Sequence, residues 1–303
     1  MRSLTGDGYV PPRRGMIATL LAVAAVVTGL ILADTKVSAA PPSATAAVDA
    51  AAGDPPRHHI RIVEKRQLST LLLQGEDVRN ATEQVFNSSH TYIVFRDPSD
   101  RMPEGWKARM ALAFTSFAAF KEASHPRIPP RFRAVLYDNE AWPLTPAVER
   151  AHPHTYARKF KRLAHEQHKI FIAAPSLDAD GQGSLFFGDA READILDLQD
   201  QAWESSPSAF SDRLRRATGW ARSHNGGVRV VVEISSNPAK DCPGQISCTH
   251  RQLHRTVDEV VENQPLIDGF WLWIFDSEAG ELDGAYMVKL IAALLPGLTS
   301  ADA

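Results

Sequence analysis

The sequence predicts an α/β protein that folds as a single (β/α)8 barrel of the TIM type, after an N-terminal signal or anchor helix and a flexible linker. Short apolar runs alternate with segments of helical periodicity, which indicates βα units and a parallel sheet. About 240 residues follow the linker, the usual size of such a barrel. Polar residues share one face of several runs, whereas an open sheet buries both faces, so the barrel is favoured over a doubly wound sheet.

The composition is that of a globular protein with a sizeable core. The chain has 303 residues, 44% of them hydrophobic, and its 33 Lys and Arg against 36 Asp and Glu give a net charge of -3. These values exclude a disordered chain, a collagen-like chain and a polytopic membrane protein. A near-neutral balance disfavours a nucleic-acid partner. No glycine-rich dinucleotide or phosphate-binding motif occurs, and we predict no cofactor.

The N-terminus has the pattern of an export signal. Residues 1–15 form a positively charged n-region, and residues 16–33 (MIATLLAVAAVVTGLILA) form an apolar run without a charge. Small residues before Ala39 and Ala40 suit cleavage there, but the run also approaches the length of a spanning helix, so an uncleaved membrane anchor is the alternative. We therefore expect a secreted or extracytoplasmic protein, tethered if uncleaved, with membrane contact only through this segment.

A linker precedes the folded domain. Residues 34–57 are rich in Ala, Pro and Ser and cannot bury enough apolar surface to fold alone, so the barrel domain is expected at 58–303. Cys242 and Cys248 lie close together across a Pro-Gly turn, and in an exported protein they predict one small disulfide loop. A metal site with His250 and His254 is the alternative.

The strands are predicted from apolar runs rich in β-branched and aromatic residues. The six clearest runs are Tyr92–Asp97, Ala134–Glu140, Ile170–Ser176, Ile195–Gln201, Val228–Ser235 and Gly269–Asp276. Two earlier runs, Ile60–Val63 and Thr70–Leu73, would bring the number of strands to eight.

Helices are predicted where apolar residues recur three and four apart. The three sets are Met110, Phe114 and Phe117; Phe210, Leu214 and Ala217; and Leu253, Val257 and Val260. Thr145 predicts a helix cap with Pro146 at the first helical position, and Asn225-Gly226-Gly227 predicts a helix end.

The most informative segment for chemistry is VLYDNEAWPLTP. Its strand delivers Asp138 and Glu140 on one face at its C-terminal end. Two neighbouring carboxylates raise the pKa of one of them, and a protonated carboxylic acid beside an ionised one is what glycosidic bond cleavage requires. The structural alternative is that these acids cap loops or pair with Arg131 or Arg133.

Polar and aromatic side chains at other strand ends could complete a sugar site. Asp197, Gln199 and Gln201 share one face of their strand, and Glu233 and Ser235 share a face of theirs. Four tryptophans lie at or near strand ends, where their rings could stack on sugars or simply pack against helices: Trp142, Trp203, Trp271 and Trp273.

The histidines offer a different chemistry. His152-Pro153-His154 has the His-x-His pattern of metal sites on barrels, but it follows a strand by about a dozen residues, at a helix or loop. His165 and His168 are expected to share a face of the next helix. We interpret all four as surface or capping residues and predict no metal, with a metal-dependent hydrolase as an alternative.

The strand order resembles that of glycoside hydrolases built on (β/α)8 barrels, with VLYDNE as strand four, ILDLQDQ as strand six, VVVEIS as strand seven and GFWLWIFD as strand eight. Family 18, the chitinases and their relatives, ends strand four with Asp-x-Asp-x-Glu. Asp138-Asn139-Glu140 matches its last Asp-x-Glu, while Arg133 and Leu136 occupy the family's two earlier Asp positions.

This resemblance implies a role for each matching residue. Glu140 would be the general acid, and Asp138 would orient the substrate's own acetamido group, which acts as the nucleophile. The sugar would be held by Asp197, Gln199 or Gln201, with Trp273 as the floor of the pocket.

The chain also resembles clan A glycosidases, which place an Asn-Glu general acid on strand four and a nucleophilic Glu on strand seven. Asn139-Glu140 and Glu233 match these places, which implies substrate contact by Asn139 and retention of configuration. Glu233 could instead point outward or pair with Arg229. Through YDNEAWPLTP and its Gln-x-Gln strand, the chain is also similar to exported actinobacterial barrel proteins of unassigned function.

Together these observations predict an exported glycoside hydrolase-like protein that cleaves or binds a polysaccharide, such as a cell-wall glycan. The first alternative is a non-catalytic glycan-binding barrel with Trp142 and Trp273 as platforms, and the second is the metal-dependent hydrolase.

Overall fold

Eight parallel strands close into a barrel in chain order in the computed structural model, which describes residues 60–176, 183–204, 206–236, 250–274 and 278–294. The strands are β1 (Ile60–Glu64), β2 (Thr91–Phe95), β3 (Arg109–Phe114), β4 (Phe132–Tyr137), β5 (Ile170–Ala173), β6 (Ile195–Gln199), β7 (Arg229–Ser235) and β8 (Gly269–Trp273). The expected single-domain (β/α)8 barrel is confirmed, and the segments assigned to strands four, six, seven and eight hold those places.

Helices pack around the barrel. They are α1 (Lys65–Leu73), α2 (Glu76–Phe86), α3 (Phe117–Ala123), α4 (Ala147–Ala151), α5 (Pro153–Glu166), α6 (Ser184–Ala190), α7 (Pro207–His224), α8 (His250–Glu262) and α9 (Glu278–Leu294). Short 3₁₀ turns cover Gln201–Trp203 and Gln264–Leu266. The apolar sets assigned to α7 and α8 face inward as expected, and α7 ends before Asn225 as predicted.

Two elements differ from expectation near the start of the barrel. The run Thr70–Leu73 belongs to α1, in which Leu68 and Leu71 are buried while Leu73 is 85% exposed. That one-sided burial is helical, because residues three apart share a helix face. The missing strand is β3, where Met110 and Phe114 were expected on a helix; the spacing of four between them also fits a strand, in which every second residue shares a face.

The helix boundaries between β4 and β5 also differ in detail. The helix α4 begins at Ala147 with Pro146 at its cap, one residue later than expected, and the Thr145 hydroxyl instead accepts a hydrogen bond from Trp142. His152 separates α4 from α5, whose first residue is Pro153. His168 lies beyond α5 with a φ of 56°, so it does not share a helix face with His165.

Alternate residues of the strands fill the barrel interior. They form a cluster of their own, separate from the larger core between strands and helices: Ile60, Ile62, Tyr92, Val94, Ala111, Ala113, Ala134, Leu136, Ile172, Ala174, Ile195, Val231 and Trp271. The same inward faces turn polar toward the C-terminal ends of the strands, as in Val94 then Arg96, and Leu136 then Asp138. This change creates a polar mouth above an apolar interior.

An aromatic stack fixes the outer side of β4. The Phe160 ring of α5 stacks on Tyr137 of β4 at 4.8 Å, on Phe171 of β5 at 5.1 Å and on Phe120 of α3 at 4.1 Å between centroids. The Tyr137 hydroxyl donates to Glu149 at 2.6 Å. Because these contacts hold the last residue of β4, they also position the residues that follow it.

The predicted export signal and linker (residues 1–57) and the predicted Cys242–Cys248 disulfide lie outside the described residues. Within the part of the chain that the structure does describe, none of the helices has the length and apolar character needed to cross a membrane.

Candidate active site

The two carboxyl groups of the predicted acid pair stand on an extension of β4. Beyond Tyr137 the backbone stays bound to both neighbouring strands: the Asp138 amide donates to Phe114 at 2.9 Å, and the Ser176 amide donates to the Asn139 carbonyl at 3.1 Å. The Ala141 amide donates to the Ser176 hydroxyl at 3.0 Å. Asp138 and Glu140 therefore point into the mouth from a held backbone, on the shared face that the sequence predicts.

An ion pair across the mouth holds Asp138. Arg96, which follows β2, donates from Nη1 to Asp138 Oδ2 at 3.1 Å, and from Nε and Nη2 to Glu64 Oε1 at 3.0 and 2.7 Å. Burial raises the pKa of Asp138, and the charge and hydrogen bond of Arg96 oppose that rise. The partner is thus Arg96 and not Arg131 or Arg133, the pairing considered from sequence proximity.

Glu140 lines the mouth and is the less buried member of the acid pair. Burial, followed by the negative charge of Asp138 and a hydrogen bond to it, raises the pKa of Glu140 to about 7. Its Oε1 accepts a hydrogen bond from the Gln199 amide at 3.3 Å. Because Arg96 contacts Asp138 whereas a neutral amide contacts Glu140, Glu140 is the member of the pair that holds a proton near neutrality.

A second carboxyl pair lies beside the first. Asp197 of β6 is fully buried, and Glu233 of β7 is 5% exposed. Burial and the charge of Asp197 raise the pKa of Glu233, and burial raises the pKa of Asp197 to about 8. Gln201 donates to Glu233 Oε1. The two carboxyls are close enough for each to affect the pKa of the other.

These residues surround a cavity of about 470 Å³ at the C-terminal end of the barrel. Its lining consists of Glu64, Arg66, Arg96, Asp138, Glu140, Trp142, Ala174, Gln199, Gln201, Glu233, Trp271 and Trp273. An aromatic wall beside paired carboxyls fits a sugar ring, which has apolar faces and a polar rim.

The structure brings most, but not all, of the expected site residues together. Asn139 is buried and donates to Asp189 at 3.2 Å, on the opposite face of the β4 extension from the mouth. Asp197 lies beneath the cavity and does not line it. Trp203 packs against Arg213, whose guanidinium carbon lies 3.3 Å from its ring centroid, and is absent from the lining.

Sequence reasoning missed four residues that line the mouth: Glu64, Arg66, Arg96 and Ala174. The two-residue period of a strand would have found two of them, since Ile62 then Glu64 and Val94 then Arg96 each continue one strand face. The second cavity of this region, also about 470 Å³, shares Glu64, Arg66 and Arg96 with the first. The mouth therefore extends as a cleft over the ends of β1 and β2.

The histidines are engaged away from the mouth. His154 Nε2 lies 3.0 Å from Glu192, and His165 Nε2 lies 2.8 Å from Asp194, both on the outer helical layer. In the described part of the chain, no group of three or more His, Cys, Asp or Glu side chains has a metal-binding arrangement. The histidines thus occupy the surface and capping positions that we inferred.

No family model matches the chain, and no curated protein sequence matches it. Similar solved structures include an endo-β-1,3-glucanase from Amycolatopsis mediterranei in complex with laminaripentaose, at 10% identity and a TM-score of 0.47, over 75% of this chain and 98% of that one. A putative α-L-fucosidase from Bacteroides thetaiotaomicron shares 9% identity at a TM-score of 0.48, over 80% and 98% of the two chains.

A malate synthase from Haloferax volcanii is similar to the same degree, with 10% identity and a TM-score of 0.43 over 83% of this chain and 82% of that one. The weak resemblance to glycoside hydrolase barrels is confirmed, but likeness at this level carries no argument about activity. The chain is an eight-stranded parallel barrel, and the groups at its mouth have to carry the functional argument.

Proposed function

We propose that this protein is a glycoside hydrolase in which Glu140 is the general acid and Asp138 its helper. The observation that carries the proposal is the Asp138–Glu140 pair: a proton-holding Glu140, with its pKa raised to about 7, stands beside a carboxylate paired with Arg96. Trp142, Trp271 and Trp273 line the same cavity and supply the aromatic surface that sugars stack on.

In the proposed reaction, Glu140 protonates the glycosidic oxygen while the bond to the anomeric carbon breaks. A water then adds to that carbon and returns its proton to Glu140, so the acid is regenerated. Under the family 18 resemblance, the substrate's acetamido oxygen attacks first and Asp138 orients that group. Glu233 is less suited than the acetamido oxygen to act as the nucleophile, because burial and then the charge of Asp197 raise its pKa and disfavour its ionised form.

We also propose that the protein is exported, which would place the barrel where polysaccharides are encountered. The support is the charged n-region and apolar run of residues 1–33. N-terminal sequencing of the protein recovered outside the cytoplasm would distinguish cleavage after Ala39 or Ala40 from a retained anchor, and recovery only in the cytoplasm would contradict export.

The first test measures new reducing ends. The purified full-length chain and its Glu140→Gln variant are incubated with chitin, peptidoglycan, β-1,3-glucan and other cell-wall glycans. We expect product from the wild type and a loss of at least about 100-fold in the variant, since general acid catalysis contributes roughly 10²–10⁴-fold.

Glu122→Gln, the same substitution on the exposed surface of α3, is the matched control and should keep full activity. Full activity in Glu140→Gln would refute the role of Glu140. Saturable glycan binding without product from either protein would instead support the non-catalytic binding barrel, which the same aromatic mouth would serve.

A further inference from the structure

Arg96 connects the two sides of the mouth through charged contacts. Its guanidinium binds Glu64 at the end of β1 and Asp138 beyond β4, and the side chains of these acids are only 12% and 7% exposed. The Arg96 side chain is 48% exposed, so water partly screens its charge, but its Nη1 lies 3.1 Å from Asp138 Oδ2. The guanidinium therefore acts on Asp138 at close range.

Apart from Arg66, the other charged side chains that the structure describes close to the acid pair are carboxyls. Glu140 lies next to Asp138, and Asp197 and Glu233 approach from β6 and β7 with further carboxyls. Arg66 lines the same cavity, and Arg96 donates a hydrogen bond to Asp138 at 3.1 Å. Without a cation at Asp138, the deeper burial of this carboxyl would favour a proton on Asp138 and not on Glu140.

We propose that Arg96 is a positioning residue that keeps Asp138 ionised and thereby leaves the shared proton on Glu140. The inference rests on the proposed role of Glu140 as the general acid, since that role requires its proton at the start of the reaction. Asp138 carries the effect of Arg96 to Glu140. While Asp138 is ionised and paired with Arg96, it accepts a hydrogen bond from the protonated Glu140. If the proton moves to Asp138 instead, Glu140 is ionised and has no proton to donate.

The test is a titration of the two carboxyl groups by NMR, with ¹³C-labelled Asp and Glu side chains in the full-length chain, assigned with Asp138→Asn and Glu140→Gln. In Arg96→Met, we expect the ionisation of Asp138 to move up by about one pH unit or more, because an opposite charge at this distance lowers a carboxyl pKa by roughly 1–3 units. Arg96→Lys, which keeps the charge, should recover part of the shift.

Two further variants separate this effect from a general loosening of the mouth. Glu64→Gln removes the negative charge of the other carboxyl that binds the Arg96 guanidinium, so the pKa of Asp138 should stay unchanged or fall. Arg101→Met, the same substitution at an exposed turn, should change nothing. An unshifted titration in Arg96→Met, or an upward shift of equal size in Glu64→Gln, would overturn the proposal.

The readout does not depend on turnover. If the wild type cleaves no glycan, the proposed hydrolase activity fails while the titration still decides the role of Arg96. If a glycan is cleaved, Arg96→Met should shift the pH profile of kcat/KM along with the titration. Thermal unfolding checks that each variant folds. Should Arg96→Met fail to fold, the other two variants still test the proposal: the pKa of Asp138 should rise slightly in Arg96→Lys and should not rise in Glu64→Gln.

Discussion

At the scale of single residues, the Glu140 carboxyl couples the chemistry of the mouth to the stability of the fold. Burial is the largest cause of its raised pKa, and the charge of Asp138 comes second. A folded protein that binds a proton more tightly than its unfolded chain loses stability as the pH rises between the two pKa values. Ionisation of Glu140 therefore lowers the stability of the folded protein.

This coupling predicts a stability gain in Glu140→Gln that depends on pH. Between the ordinary pKa of 4.5 and the folded value of about 7, ionisation of Glu140 progressively costs stability, and above pH 7 the cost is complete. The neutral glutamine avoids that cost, so the variant should be more stable by about 1–2 kcal/mol at pH 8, after allowance for partial exposure, and nearly unchanged at pH 4.5.

Thermal unfolding of both proteins at pH 4.5 and pH 8 measures the difference. The exposed variant Glu122→Gln should match the wild type at both values. An equal shift of the Glu140→Gln midpoint at the two pH values would contradict a raised pKa, because a packing effect of the amide would not depend on pH.

At the scale of elements, the seam between β8 and β1 closes the barrel. Gly269 pairs with Ile60, whose amide donates to the Asp268 carbonyl at 2.7 Å. A Cβ at Gly269 would lie 1.8 Å from the Ile60 carbonyl oxygen, far inside van der Waals contact. The two strands can thus approach each other only because this position has no side chain.

Gly269→Ala should therefore destabilise the barrel by about 3 kcal/mol or more, since backbone atoms have to move to admit the methyl group. Gly219→Ala is the matched control: within α7 the added Cβ meets no described atom within 4 Å beyond its own helix, and alanine should stabilise the helix by about 0.5–1 kcal/mol. Denaturant unfolding compares both variants, and equal stability of Gly269→Ala and wild type would refute the tight seam.

The elements also differ in how far the sequence predicts them. Strands with β-branched or aromatic residues on both faces, such as β2 and β8, were predictable because their runs are continuous. The strand β3 was not predictable in this way. Its inward residues are Ala111 and Ala113, so its only large apolar residues are Met110, Leu112 and Phe114, which share the other face. Those two small residues occupy little of the barrel interior.

At the scale of the whole molecule, the mouth is assembled from distant parts of the chain. Trp142 comes from the segment after β4 and is held by a hydrogen bond from its Nε1 to Thr145 at 3.0 Å, while Trp271 and Trp273 come from β8. These rings line a single cavity with the carboxyls of β4 and β7. Under the proposed function these rings bind one glycan together, so loss of one ring should weaken binding without changing the acid pair.

Trp142→Ala and Trp273→Ala should each weaken binding of an active glycan about fivefold, the equivalent of about 1 kcal/mol for one aromatic contact. Trp220→Ala is the matched control, because that ring stacks on His224 of α7 with 4.0 Å between centroids and is absent from the mouth. Isothermal titration with the glycan measures affinity, and unchanged affinity in both mouth variants would rule out an aromatic platform.

The sequence by itself determined the general alternation of strands and helices, the places of the fourth, sixth, seventh and eighth strands, and the shared face of Asp138 and Glu140. These features depend on local periodicity, which the chain carries in each short segment. Only the tertiary structure decided that Arg96 is the partner of Asp138, that Glu233 lies against Asp197, and that Asn139 faces Asp189 and not the mouth. Closure of the barrel brings these residues together from separate strands, and the resulting burial and charge, not the residue types alone, set which carboxyl holds a proton.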